Sequence, residues 1–219
     1  MDLKTGISLM KESNYEDAAK VFSDYIESNP SEPEGYINMA NLLSILGDRD
    51  RAILFNERAI ELDPDSSAPY YGLGVLAYQE DQFQKAIEWF LTAQQKGLHD
   101  ADLFYMLGMS HYQLQSFAHA QANLSYAHEL NKEDVEIAFQ YGLCLAQQEQ
   151  LEAAQQLFID VIKQDATHAD AYYNLGVIYV SNEAIDEALK CFDLALNNQE
   201  DHLLAGNAKR VIEDALNRG

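Results

Sequence analysis

Six histidines, two cysteines and thirty-six carboxylates are the side chains of this chain that could do chemistry. Metal binding, nucleophilic attack or proton transfer would each need them at particular spacings. A zinc site calls for two histidines one helical turn apart around a glutamate, or for closely paired cysteines. His99, His111, His119, His128, His168 and His202 fit no such pattern, and Cys144 and Cys191 stand far apart in the chain. Both cysteines fall at apolar helical positions, so they read as reduced core side chains and not as a redox pair. His111 and His128 occupy positions where other parts of the sequence carry core residues. The glycines are scattered, so none of them builds a loop that could cradle a phosphate. Carboxylate pairs are too frequent at this charge to single one out. The expectation is a protein with no catalytic residue, no metal and no cofactor; an enzyme with a site assembled from distant residues is the weakest of the alternatives.

What the chain does repeat is its pattern of small residues. Ala18, Ala52, Ala86, Ala120, Ala154 and Ala188 recur at a 34-residue step, and Gly6, Ala40, Gly74, Gly108, Gly142 and Gly176 recur at the same step. A small residue at fixed phase lets two helices approach closely in every unit, where a larger side chain would hold them apart. Large residues fill the space around these contacts. Phe22, Phe90, Phe158 and Phe192 share one phase, kept apolar by Leu124, and Asn56 departs from it. Within each unit, apolar residues three and four apart mark two helical stretches of about three turns. Turn and cap residues divide them at Asn14, Gly47 and Asp48, Asp81, Ser116 and Asn182. Pro30 and Pro64 fall between units, where a missing N–H does least harm.

The period, the small-residue phases and the recurring aromatics resemble the tetratricopeptide repeat (TPR). The likeness is closest in Ala171-Tyr172-Tyr173-Asn174-Leu175-Gly176 and from Asp186 to Phe192, and it covers nearly the whole chain. It is similar to the small stand-alone bacterial members of that family. The resemblance implies an all-α fold: a right-handed superhelical α-solenoid of six TPR helix–turn–helix units plus a C-terminal capping helix. A single TPR domain, 1–219, then divides into repeats at about 1–32, 33–66, 67–100, 101–134, 135–168 and 169–202, with Met1 already inside the first helix and a capping helix at 203–217. Leu203, Leu204, Val211, Ile212, Ala215 and Leu216 are expected to cover the end of the last hairpin.

A formal net charge of −22 repels phosphate backbones and anionic lipid, and the few basic residues do not cluster, so neither nucleic acid nor membrane is expected as a partner. No apolar run approaches the length of a membrane span, and the N-terminus lacks the apolar segment of a signal peptide. The expected location is cytoplasmic.

In the family, fixed places on the first helix of each unit line the concave face. Carried over, these give a peptide-binding groove. Its fifth place holds Ile37, Tyr71, Tyr105, Phe139 and Tyr173, its sixth Asn38, Gly72, Met106, Gln140 and Asn174, and its ninth Asn41, Val75, Met109, Leu143 and Val177; Tyr78 and Tyr112 stand at the twelfth. An acidic rim of Glu34, Asp102, Glu136 and Asp170 follows at the second place, joined by Asp65, Asp100 and Asp134 at the junctions. The departures from consensus carry the information. Gly72 and Met106 replace the amide of the sixth place, which makes an apolar floor with Ile37, Tyr71, Val75, Tyr78, Tyr105, Met109 and Tyr112 at the middle of the groove. Methionine adapts to varied ligands.

A non-catalytic protein–protein interaction module or assembly scaffold is therefore expected, holding a polypeptide segment with apolar or aromatic anchors and flanking basic residues. A regulatory receptor for a short peptide is the alternative. Family members that hold the C-terminal carboxylate of heat-shock chaperones use lysines and arginine at set places. The matching places here hold Leu3, Ile7, Asn38, Ala68 and Gly72, or Ile37, Asn41, Gly72, Asp102 and Met106, with no cation among them. A carboxylate clamp is not expected.

Overall fold

The computed structural model describes residues 2–217; the expected place of Met1 in the first helix, and residues 218 and 219 of the expected domain, lie outside them. Among the described residues the chain forms thirteen α-helices and no strand. Two compact units divide it, residues 1–116 and 117–219. The first holds α1 (Leu3–Lys11), α2 (Tyr15–Ser28), α3 (Pro33–Ile45), α4 (Arg49–Leu62), α5 (Ala68–Gln79), α6 (Phe83–Gln95) and α7 (Ala101–Gln113). The second holds α8 (Phe117–Leu130), α9 (Val135–Gln147), α10 (Leu151–Gln164), α11 (Ala169–Ser181), α12 (Ile185–Asn198) and α13 (Leu203–Leu216).

Antiparallel hairpins pair α1 with α2, α3 with α4 and α5 with α6 in the first unit, and α9 with α10 and α11 with α12 in the second. The small residues are where the helices meet. The alanines at 18, 52, 86, 120, 154 and 188 are all fully buried. In four hairpins a phenylalanine of the second helix lies flat over a glycine of the first. A Cβ added there would come within 2.5 Å of the Phe90 ring at Gly74, 2.8 Å of Phe158 at Gly142 and 2.6 Å of Phe192 at Gly176, and Gly6 beneath Phe22 is equally closed.

The turn between helices is also repeated. After α1, α3, α5, α7, α9 and α11 one residue takes a positive φ: Ser13, Gly47, Asp81, Gln115, Glu149 and Glu183. Each is closed by the pair of bonds that defines a Schellman stop, as in Gln115 N–H to Tyr112 O at 2.9 Å and Ser116 N–H to His111 O at 2.9 Å. Only Gly47 is the residue type that this backbone favours, so tertiary contact between the paired helices, not local preference, holds the other five.

The last helix differs from the expectation. α13 packs through Ala205, Ala208 and Ile212, which lie three and four apart, onto Phe192, Ala195 and Leu196. Leu203, Leu204, Val211 and Leu216, expected to cover the last hairpin, are exposed, Leu203 at 78%. Small Ala205 permits the close approach, and this turns the flank carrying Leu204 and Val211 outward.

Candidate functional site

In the first unit α1, α3, α5 and α7 adjoin one another in sequence, forming a row of first helices. A cavity of about 500 Å³ opens on this row. α3 contributes Ala40, Asn41, Ser44 and Ile45, α5 contributes Ala68, Tyr71, Gly72, Val75 and Gln79, and Leu98, Asp100 and Asp102 close it from the start of α7. Its back wall is Asn56 of α4.

The cavity exists because two bulky side chains are absent from it. Asn56 stands at the phase where α2, α6, α10 and α12 carry phenylalanine, and Gly72 stands where α3 and α11 carry Asn38 and Asn174. The two absences are coupled, since a Cβ on Gly72 would lie 2.9 Å from Asn56 Oδ1. Asn56 is 1% exposed. Its Nδ2 donates to the Ala52 carbonyl at 3.1 Å, which fixes the amide orientation and turns Oδ1 into the cavity. Oδ1 has no hydrogen-bond partner, and a buried carbonyl left unpaired costs about 1–3 kcal/mol.

Tyr71 forms one side of the cavity, its ring 5.5 Å from that of Phe90. Burial, then the charges of Asp102 and Asp100, push its hydroxyl up to about 12. The phenol therefore stays protonated, a neutral donor or acceptor in a negative field. Asp100 also caps α7, its Oδ1 accepting from Leu103 N–H at 2.9 Å.

Of the residues predicted for the groove, the cavity brings together Asn41, Tyr71, Gly72 and Val75 with Asp102 of the rim. Ile37, Asn38, Tyr78, Tyr105, Met106, Met109 and Tyr112 are half-buried on the same three helices outside its lining, and Glu34 is exposed. Asn38 spends one amide hydrogen on the Glu34 carbonyl of its own helix at 2.7 Å, and Tyr78 sets its ring edge-on to Phe83 at 5.3 Å. The junction carboxylates have structural partners: Asp65 pairs with Lys96 at 2.7 Å, which holds its carboxyl below the usual range, and Asp134 caps α9 through Ile137 N–H.

In the second unit the predicted residues are more committed to the fold. Phe139 is 7% exposed, its ring 5.8 Å from Phe158 and 4.5 Å from His168. Leu143 packs against the same core. Gln140 Nε2 donates to Glu136 Oε1 at 2.8 Å and Asn174 Nδ2 to the Asp170 carbonyl at 2.8 Å. Tyr173 and Val177 line an apolar concavity of about 390 Å³ with Val180, Phe192, Leu204, Val211 and Ile212. Its apolar lining follows from the outward flank of α13.

Two histidines have a role the sequence did not disclose. His168 and His202, one repeat apart, cap α11 and α13: each Nδ1 accepts a backbone N–H, from Ala171 at 3.2 Å and from Ala205 at 3.1 Å. With Nδ1 accepting, Nε2 of His202 carries the proton and donates to Asp170 Oδ1 at 3.1 Å. Asn56 was visible as a departure from its phase, but only the fold sets it beside Gly72. The cysteines are buried; burial pushes the Cys144 thiol up and, aided by Glu187, that of Cys191 to about 11. Among the described residues no helix is long and apolar enough to cross a membrane.

This architecture of stacked hairpins, with glycine under phenylalanine at each step, matches tetratricopeptide repeat models at residues 3–67, 37–100 and 105–158, and again at 145–211. The chain belongs to the tetratricopeptide repeat family, whose members are protein–protein interaction modules. It is 40% identical to YrrB, a TPR protein with an unusual peptide-binding site, over 88% of this chain and 99% of that one, with a TM-score of 0.77. Protein O-mannosyl-transferase TMTC3 of Homo sapiens is 27% identical over 78% of this chain. Hsp70-Hsp90 organizing protein 2 of Arabidopsis thaliana is 32% identical over 43% of it. The chain spans less than a fifth of the length of these two relatives, 19% and 16%.

Proposed function

We propose that this chain is a non-catalytic interaction module that holds a segment of another polypeptide on its row of first helices, with the cavity between α3 and α5 as the anchoring point. The carrying observation is that cavity, where the apolar faces of Ile45, Tyr71 and Val75 stand beside the polar groups of Asn41, Ser44 and Asn56. A preformed concave site with apolar walls and a few directed polar groups suits a side chain presented from an extended or helical segment. An apolar group fully buried there contributes about 1.5–3 kcal/mol. Similarity to YrrB, itself a TPR protein with a peptide-binding site, supports the same reading by analogy. Thiols raised by burial are poor nucleophiles, and histidines engaged as helix caps serve the fold, which favours binding without chemistry. Separate, buried thiols also suit a reducing compartment such as the cytoplasm.

The lining supplies acceptors and carboxylates and no cation, so a ligand whose terminal carboxylate must be clamped by lysine or arginine is excluded from the proposal. Selection of a displayed random-peptide library on the unmodified chain tests the reading. Peptides retained by that chain and released by a folded Tyr71→Ala/Val75→Glu variant are expected. Equal retention by both overturns it.

A further inference from the structure

The cavity also indicates which side chain it accepts. Its deepest polar atom, Asn56 Oδ1, is an acceptor and has no partner, while the side chain that carries it is 1% exposed and is held by its bond to Ala52. Around it the cavity offers Ser44 and the amides of Asn41 and Gln79, and the carboxylates of Asp100 and Asp102 lie on the wall towards α7. The field of those two carboxylates reaches the Tyr71 hydroxyl, so the negative potential extends into the cavity. Between the buried acceptor and the carboxylates stand the apolar faces of Ala40, Ile45, Tyr71 and Val75.

We infer that the cavity is a lysine pocket: resting on the reading that the first-helix row binds a polypeptide, it takes one lysine side chain of that segment, with the ammonium on Asn56 Oδ1 and the alkyl stem along Tyr71 and Val75. Charge complementarity selects a cation, and a donor is what the unpaired carbonyl lacks. The choice of lysine follows from shape. An ammonium is a compact point charge on a flexible four-carbon stem, whereas a guanidinium presents a planar fork of five N–H donors suited to a carboxylate pair. One amide oxygen framed by apolar walls satisfies the former and strands donors of the latter. The same acceptor disfavours an aliphatic anchor, which would leave Oδ1 buried and unpaired.

The test uses peptides selected on the unmodified chain, each remade with its lysine replaced by norleucine, which keeps the stem and removes the ammonium, or by arginine. Affinities are measured for the unmodified chain and for Asn56→Leu. Leucine is a sound replacement because Leu124 fills the same phase of α8, fully buried. The expected result is a loss of about tenfold or more for norleucine on the unmodified chain, a smaller but clear loss for arginine, and indifference to norleucine on Asn56→Leu, the signature of a coupled pair. Equal losses on both chains, tolerance of norleucine, or equal affinity for arginine overturn the lysine pocket while peptide binding stands. Selection of no peptide at all overturns both readings. Should Asn56→Leu fail to fold, the unmodified chain still decides: the Asn56 side-chain amide signals must move in a heteronuclear spectrum with the lysine peptide and stay with the norleucine one, and the reverse overturns the assignment.

Discussion

The α3–α4 and α5–α6 hairpins are consecutive copies of one unit, yet one is filled and the other holds a cavity. In α5–α6, Gly74 lies under Phe90 and Tyr71 packs on the same ring at 5.5 Å, so the contact is closed. In α3–α4 the corresponding residues are Ala40, Asn56 and Ile37. Asparagine is smaller than phenylalanine, which leaves room for the extra methyl of Ala40, and isoleucine replaces the second aromatic. A repeat protein can thus acquire a site by removing volume at one unit while its neighbours retain the packing that holds the helices in place.

Exchanging the residues breaks this comparison most directly. Phe90→Asn puts the polar residue into a closed hairpin whose ring is fully buried, and a loss of about 3–5 kcal/mol in urea unfolding is expected, as for other large core truncations. A loss below about 1 kcal/mol would mean that the α5–α6 contact can collapse around a small residue, contrary to the tight packing of its interior. The reverse exchange is sharper. Asn56→Phe alone drives a ring against the Ala40 methyl and should cost about 1–3 kcal/mol. Asn56→Phe with Ala40→Gly restores the rule of the filled hairpins and should recover that loss, and the same double variant should no longer bind the selected peptides.

Much of this fold was legible in the sequence because its information is periodic. A phenylalanine at one phase and a glycine or alanine at another recur often enough that their partnership could be expected before any coordinate. The site was less legible because it depends on a contact between units. Asn56 and Gly72 each appeared as a departure from a pattern, but they lie on different helices of different repeats, and only the fold sets Oδ1 where a Gly72 side chain would be. Phe139 shows the opposite limit: its place in the repeat is that of a groove residue, and local packing with Phe158 and His168 buries it. The caps were hidden for a chemical reason, since histidine takes the role that Asp100 and Asp134 fill one and two repeats earlier.

The caps and stops give a second comparison, of like positions filled by unlike residues. His202→Ala removes both the acceptor for Ala205 N–H and the contact with Asp170, and a loss of about 1 kcal/mol is expected, within the usual range for a cap. His202→Asp, which resembles the caps of α7 and α9, should retain most of the stability, and an equal loss would show that ring packing on Tyr173 matters more than the cap. At the stop after α11, Glu183 takes a φ of 59°, where a Cβ is unfavourable. Glu183→Gly should stabilise by about 0.5–1 kcal/mol, since glycine meets no steric penalty there and gives back part of the gain in chain entropy.

The smallest expected effect concerns His128, which stands where α2, α4, α10 and α12 carry Ile26, Ile60, Ile162 and Leu196. Burial, then Lys132, holds its pKa below the ordinary 6.5 against the opposing pull of Asp160 and Glu129. A base with a depressed pKa in the folded protein is protonated first in the unfolded chain, so the unfolded state binds more protons as the pH falls. Stability is therefore retained above about 6.5 and lost as the pH drops from there through the depressed value. His128→Leu removes this contribution and leaves the other five histidines to titrate alike in both proteins. The stability of the variant relative to the unmodified chain should rise between about pH 7.5 and pH 5 in parallel urea titrations. A difference that stays flat over that interval would mean that the ring reaches water as readily in the folded protein as in the unfolded chain, and that the apolar phase of α8 admits solvent where those of α10 and α12 exclude it.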